Sequence, residues 1–185
     1  MPQEAKAMRG FTLVELMMAL AIVAVLATVA IPAFGNLLGR TRQQVVMADL
    51  QASLNQARSA AVSRGMHVIA CPSVDQSTCL HTTQWHLGWL LFADRDHDGQ
   101  RSDEEPVIGG GQAQPEGIGI LATVGRPRID YQSDGSASGT NITLTVCDRA
   151  AGPTRARTLV VSQSGRIRLG QATAGAASDC IAGAG

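Results

Sequence analysis

Three sets of side chains in this chain are typed and spaced for chemistry. Arg149, Arg155, Arg157, Arg166 and Arg168 are the cations after Asn141, against only the acids Asp148 and Asp179. Arg166 and Arg168 stand two apart, so on a strand both point to one face, and Arg155 and Arg157 repeat that spacing. A guanidinium fork matches the oxygens of phosphates and carboxylates. The opposing reading is that arginines on an edge strand only solvate it and deter aggregation. The second set is Asp94-Arg95-Asp96-His97-Asp98-Gly99 with Glu105 in twelfth place, the spacing of a calcium loop. A β-type run before it, Pro106 after it and Arg101 in the usually apolar eighth position argue against calcium, because acidic turns with glycine are ordinary hairpin tips. The expectation is a solvated hairpin without metal, with Asp94, Asp96, Asp98 and Glu105 as the calcium alternative. The third set is Cys71, Cys79, Cys147 and Cys180.

Composition narrows the classes. Formal net charge is +0, so global charge recruits no partner, and the only lysine is Lys6. Aromatics are confined to Phe11, Phe34, Trp85, Trp89, Phe92 and Tyr131, too few to expect a base-stacking platform. The histidines His67, His81, His86 and His97 accompany no nucleophile motif, and no glycine loop cradles phosphate. No enzyme and no cofactor are expected.

These side chains must be positioned by elements whose order begins with an anchor. Residues 1–10 are short and polar, with Lys6 and Arg9 positive. From Phe11 to Phe34 the chain is apolar except for Thr12, Glu15 and Thr28. About 24 residues at 1.5 Å rise suffice to cross a hydrocarbon layer of roughly 30 Å. An ordinary signal peptide would be cut after this run, near Thr28-Val29-Ala30. That reading leaves Glu15 unexplained, since a carboxylate at membrane depth is costly and functional by default. Pro32 removes a donor and is expected to kink or loosen the helix. Beyond it Val46, Leu50, Leu54, Ala57 and Ala61 recur at helical spacing, and Gly65 marks the helix end.

Arg9-Gly10-Phe11-Thr12-Leu13-Val14-Glu15, followed by this apolar run, resembles the prepilin peptidase site of type IV pilins and type II secretion pseudopilins. The resemblance implies cleavage after Gly10, N-methylation of Phe11 and retention of the apolar helix as anchor and filament core. It also implies that Glu15 pairs with the terminal amine of a neighbouring subunit. Further along, Gln56-Ala57-Arg58-Ser59-Ala60-Ala61 with Arg64-Gly65, then Gly88-Trp89-Leu90-Leu91-Phe92-Ala93-Asp94, then Ser164-Gly165-Arg166, are similar to the FimT/GspH family of minor pilins and pseudopilins. Gly165-Arg166-Ile167-Arg168 resembles the Gly-Arg-x-Arg element of the DNA-binding FimT minor pilins. That implies non-specific phosphate clamping by Arg155, Arg157, Arg166 and Arg168, with Arg149 weaker, in DNA uptake during natural transformation. Four such contacts predict a log-log salt slope of about −3.6 on duplex DNA. The alternative is an H-type pseudopilin of type II secretion with a structural tip role and no nucleic acid.

The fold expected is α+β: a long N-terminal helix, membrane-spanning in its first half and amphipathic in its second, packed on an antiparallel sheet head. The divisions expected are a leader over 1–10, an anchor helix over 11–40 and a periplasmic head over 41–185 with a flexible Gly/Ala tail over 170–185. Strands are predicted at 67–71, 88–92, 117–124, 128–131, 141–146, 158–162 and 166–169, with Trp85 and Trp89 as core side chains. The resemblance implies an inner-membrane subunit later assembled into an extracellular pilus, with prepilin peptidase, major and minor pilins and DNA as partners. In an oxidising compartment the four cysteines form two disulfides, for which three connectivities exist. Sequence-local pairing, Cys71 with Cys79 and Cys147 with Cys180, is the expected one, because the second bridge would pin the tail to the sheet. A zinc site from Cys71, Cys79, His81 and His86 is disfavoured by the compartment and by the lack of Cys-x-x-Cys spacing.

Overall fold

The computed structural model describes residues 12–139 and 141–183, apart from the side chains of 32–34 and 36–40. Gly10 and Phe11, the predicted cleavage and methylation positions, lie outside the described residues. The chain divides into two units, residues 1–38 and residues 39–185.

Helix α1 runs Leu13–Arg64. Its start is capped: Thr12 Oγ1 accepts the Glu15 N–H at 3.3 Å, the N-cap arrangement that satisfies an otherwise orphaned donor. Glu15 thus occupies the first turn, where a carboxylate suits the helix dipole. Leu13–Ile31 has a mean hydropathy of 2.5 and is long and apolar enough to cross a membrane. Pro32, where loosening was expected, falls within the assigned helix, among side chains outside the described set. The far end closes at Gly65, whose φ of +63° lets the Met66 N–H return to the Ala61 carbonyl at 3.2 Å.

In the second unit the head is two four-stranded antiparallel sheets. One has the order β3 (Val107–Gly111), β2 (Trp89–Asp94), β1 (His67–Pro72), β5 (Ile129–Tyr131). The other has the order β4 (Ile118–Ala122), β6 (Ile142–Asp148), β7 (Arg157–Val161), β8 (Ile167–Gln171), so β8 is an edge. Val46, Leu50, Leu54, Ala57 and Ala61 of α1 are buried against inward residues of both sheets, including Trp89, Leu91, Tyr131, Ile120, Leu144 and Leu159. Each buried Leu or Ile there contributes roughly 1.5–3 kcal/mol, so the amphipathic stripe is what ties the helix to the head. Gln43 extends that stripe in polar form, donating from Nε2 to the carbonyls of Val146 and Arg155, both at 3.0 Å.

Two smaller clusters cover the outer faces. Ile69, Cys71, Leu90 and Phe92 pack beneath the loop stapled by the Cys71–Cys79 disulfide. Cys147, Ala156, Ala177 and Cys180 pack where helix α2 (Ala174–Gly183) lies on the second sheet, fixed by the Cys147–Cys180 disulfide. Sequence-local pairing is therefore the connectivity present.

Two expectations need correction. As far as Gly183, the tail predicted over 170–185 is not loose. Gly170 and Gln171 finish β8, and α2 begins after Thr173, whose Oγ1 accepts the Ala176 N–H at 3.3 Å as an N-cap. Strand β3 was missed because Val107-Ile108-Gly109-Gly110-Gly111 reads as a turn. Its glycines are required by packing: a Cβ on Gly111 would fall inside the Trp89 indole, and one on Gly110 would meet the Trp89 carbonyl oxygen at 2.4 Å. Trp85 is in the core as expected and comes from a 3-10 turn, Trp85–Leu87, ahead of β2.

Candidate nucleic-acid interface

The β7–β8 hairpin carries Arg157, Arg166 and Arg168 of the arginines predicted to clamp phosphate, and its tip is built around Gly165. The Gly165 N–H donates to Ser162 O at 2.8 Å and the Ser162 N–H to Arg166 O at 2.9 Å, closing the turn. Gly165 has φ +71° and is buried, and a Cβ there would meet the Gly135 carbonyl oxygen at 1.9 Å. The glycine of the Gly-Arg-x-Arg element is thus demanded by backbone shape and by close approach. Arg58 of α1 holds the two turns together, donating from Nε to Gly135 O at 2.8 Å and from Nη2 to Ser164 O at 3.2 Å.

Arg166 extends the β8 ladder, since Ser162 and Arg166 pair one step beyond the Val161–Ile167 partners. Arg166 and Arg168 therefore share a face, as their spacing predicts. It is the face away from α1, because Ile167 and the Leu159 partner Leu169 alternate with them toward the core side. Both arginines are exposed, as are Arg149 and Arg157. Among the described residues the ion pairs are His67–Asp130 and Arg101–Asp103, so no carboxylate neutralises these four guanidiniums.

The four arginines predicted to clamp phosphate do not share one face, and Arg155 and Arg157 do not repeat the Arg166–Arg168 arrangement. Arg155 lies in a 3-10 turn, Pro153–Arg155, where the two-residue period of a strand does not apply. Arg157 sits on the α1 side of β7, opposite in sense to Arg168. With half-buried Arg155 it lines an open groove of about 850 Å³ that also meets Gln43, Met47 and Gln51 of α1. Arg149 follows β6 at that same end, its N–H donating to Gly117 O at 2.8 Å. The edge strand β8 thus carries Arg166 and Arg168 on one side, with Arg157 on its neighbour facing the other. Helix α2 packs on β4, β6 and the Pro153–Arg155 turn and leaves Arg157, Arg166 and Arg168 exposed.

Arg58 was legible only as part of a motif, because its bonds to two distant turns are a tertiary feature. Replacing it with Met should remove one part-buried and one exposed hydrogen bond and destabilise the head by about 1–2 kcal/mol. Thermal unfolding of the variant beside the parent checks this.

The model of type II transport protein GspH matches residues 47–165. The chain belongs to the GspH family. A prokaryotic N-terminal methylation motif matches residues 5–31, over the region that carries Gly10, Phe11 and Glu15. The GspH match ends at Gly165, so Arg166, Arg168 and α2 lie past it. Two fimbrial proteins of Pseudomonas aeruginosa are each 32% identical over 84 residues, which is 45% of this chain and 50% of theirs. The chain therefore spans about half the length of the curated relatives it matches. The fold is shared with the type IV minor pilin FimU of Pseudomonas aeruginosa at TM-score 0.56 and 21% identity, over 74% of this chain and 92% of that one. It is also shared with the minor pseudopilin EpsH of the type 2 secretion system of Vibrio cholerae at TM-score 0.50 and 15% identity, over 69% and 95%. The pilin-like α+β fold of this GspH-family chain is thus the one expected from its sequence.

Proposed function

We propose that this GspH-family chain is a minor pilin that captures extracellular DNA by its phosphates for uptake. The observation that carries the reading is the pair Arg166 and Arg168, exposed on one face of an edge strand and, among the described residues, in no ion pair with a carboxylate. Guanidiniums so placed pair with phosphate oxygens without reading bases. Arg157 adds a third contact from the other side of the same sheet edge, and Arg149 and Arg155 contribute less. The N-terminus supports assembly: Gly10 is the cleavage position for a prepilin peptidase, Phe11 the methylated residue, and Glu15 the partner of a neighbouring subunit's amine in a bundle of pilins. The chain would stand in the inner membrane through Leu13–Ile31, with the head periplasmic, and move to the pilus on assembly.

The test is a fluorescence-anisotropy titration of the full chain in non-ionic detergent with labelled duplex DNA at low salt. Arg166→Gln/Arg168→Gln should weaken binding at least about tenfold, a loss of about 1.4 kcal/mol. Arg95→Gln, which alters an exposed arginine of the acidic loop, should leave it unchanged. Absence of binding by the parent would favour the structural pseudopilin, the reading to which the GspH match and the EpsH fold lend support.

A further inference from the structure

The acidic β2–β3 connection is only half the solvated hairpin expected of it. Asp96 and Asp98 are exposed, whereas Asp94 is 2% and Glu105 3% exposed. The buried pair is unusual because the loop's own backbone satisfies it only in part. Asp94 Oδ2 accepts the Gly99 N–H at 3.1 Å, while Asp94 Oδ1 is buried with no hydrogen-bond partner. Glu105 accepts the Arg95 N–H at 2.6 Å and the Ser102 N–H at 2.9 Å. An ionised carboxylate taken from water needs a compensating charge. Of the neighbouring arginines, Arg128 donates to Gly99 O, Arg101 donates to Ser77 O and Glu105 O and pairs with the exposed Asp103, and Arg95 is exposed.

Carboxylate oxygens of Asp94, Asp96 and Asp98 lie within 4.8 Å of one another. An ion centred among them would stand at most about 2.8 Å from each, so a small inward shift of the exposed Asp96 and Asp98 brings all three to calcium–oxygen distance. Asp96 Oδ1 and Asp98 Oδ1 accept the N–H groups of Asp98 and Gln100, which fixes their direction. The flanking helices of familiar calcium loops are absent, but the ligands belong to the loop, and here strands β2 and β3 hold its ends. Arg101, in the position that is usually apolar, ties the loop to the disulfide loop instead.

We propose that this loop binds one calcium ion through Asp94, Asp96 and Asp98, with Glu105 as the adjoining buried negative charge. The unpartnered Asp94 oxygen is the inner ligand, and two exposed ligands make the site weak, in the range of about 10⁻⁴–10⁻³ M suited to an extracellular module. The site is separate from the arginine edge and does not depend on the DNA reading.

The experiment is calorimetric titration of the full chain in detergent with calcium chloride, with magnesium chloride in a parallel run and thermal unfolding as second readout. Expected are one saturable calcium site, weaker binding of magnesium, and a melting temperature raised by roughly 3 °C or more at about ten times the dissociation constant. Asp96→Asn/Asp98→Asn, two exposed positions that leave the core intact, should weaken calcium at least about tenfold. Asp103→Asn/Glu104→Gln removes two charges of the same loop outside the cluster and should retain the site. No saturable binding by the parent up to about 10 mM calcium, preference for magnesium, or equal weakening by the two double variants would overturn the proposal.

Discussion

Gly165→Ala should destabilise the head by about 3 kcal/mol or more, well beyond an ordinary glycine replacement. Left-handed backbone alone costs a non-glycine residue roughly 1–2 kcal/mol. Here the new Cβ would also stand 1.9 Å from the Gly135 carbonyl oxygen and 2.9 Å from Arg58 Nε. Neither can yield freely, because Gly135 O is itself the acceptor of the Arg58 bond. The control is Gly125→Ala, at φ +76° with open space where its Cβ would point. It should incur the backbone term only. Denaturant unfolding of the two variants separates conformational cost from collision: equal losses would mean that the two turns part easily and that Gly165 is not a packing point.

Removing the Cys147–Cys180 bridge should be the costliest covalent change. Its partners are 33 residues apart, against 8 for Cys71–Cys79. Loop-closure entropy then gives about 4 kcal/mol for the longer bridge and about 2.5 kcal/mol for the shorter. The longer one also holds α2 over the small cluster of Ala156, Ala177 and Ile181, which is too slight to dock a ten-residue helix unaided. Cys147→Ala/Cys180→Ala should lower the melting temperature more than Cys71→Ala/Cys79→Ala and should abolish hydrogen-exchange protection in α2 alone among the helices. Retained protection in α2 would show that its packing, not the bridge, orders it.

The parts of this fold readable in advance were those with a strong periodic or covalent signal. The stripe Val46, Leu50, Leu54, Ala57, Ala61 declares its buried face, Gly65 declares where the helix stops, and strands β1, β2 and β4–β8 follow the β-type runs between turn residues. What escaped had its reason in tertiary contact. The glycines of β3 look like a turn until the Trp89 ring is laid across them. Helix α2 was hidden by a composition that reads as slack, though Thr173 as cap and Ala177, Cys180 and Ile181 at helical spacing carried its signal. The arginine site was legible as residue types but not as geometry. Two-residue spacing places Arg166 and Arg168 together because both lie on one ladder; the same spacing misleads at Arg155, where Pro153 opens a 3-10 turn. Glu105 and Asp94 look like a wet hairpin in sequence, and only the folded structure shows both carboxylates buried and one Asp94 oxygen without a hydrogen bond.

The central claim, phosphate capture at the β8 edge, is tested most directly by the salt dependence of DNA affinity. The three exposed guanidiniums of the β7–β8 hairpin, Arg157, Arg166 and Arg168, predict a slope of log affinity against log salt of about −2.7 on duplex DNA, shallower than four contacts would give because Arg155 is half-buried and Arg149, though exposed, follows β6 off the hairpin. Arg166→Gln/Arg168→Gln should flatten it to about −0.9. A slope that the double variant leaves unchanged, or an affinity indifferent to salt, would contradict the account and return the chain to a purely structural place in its filament.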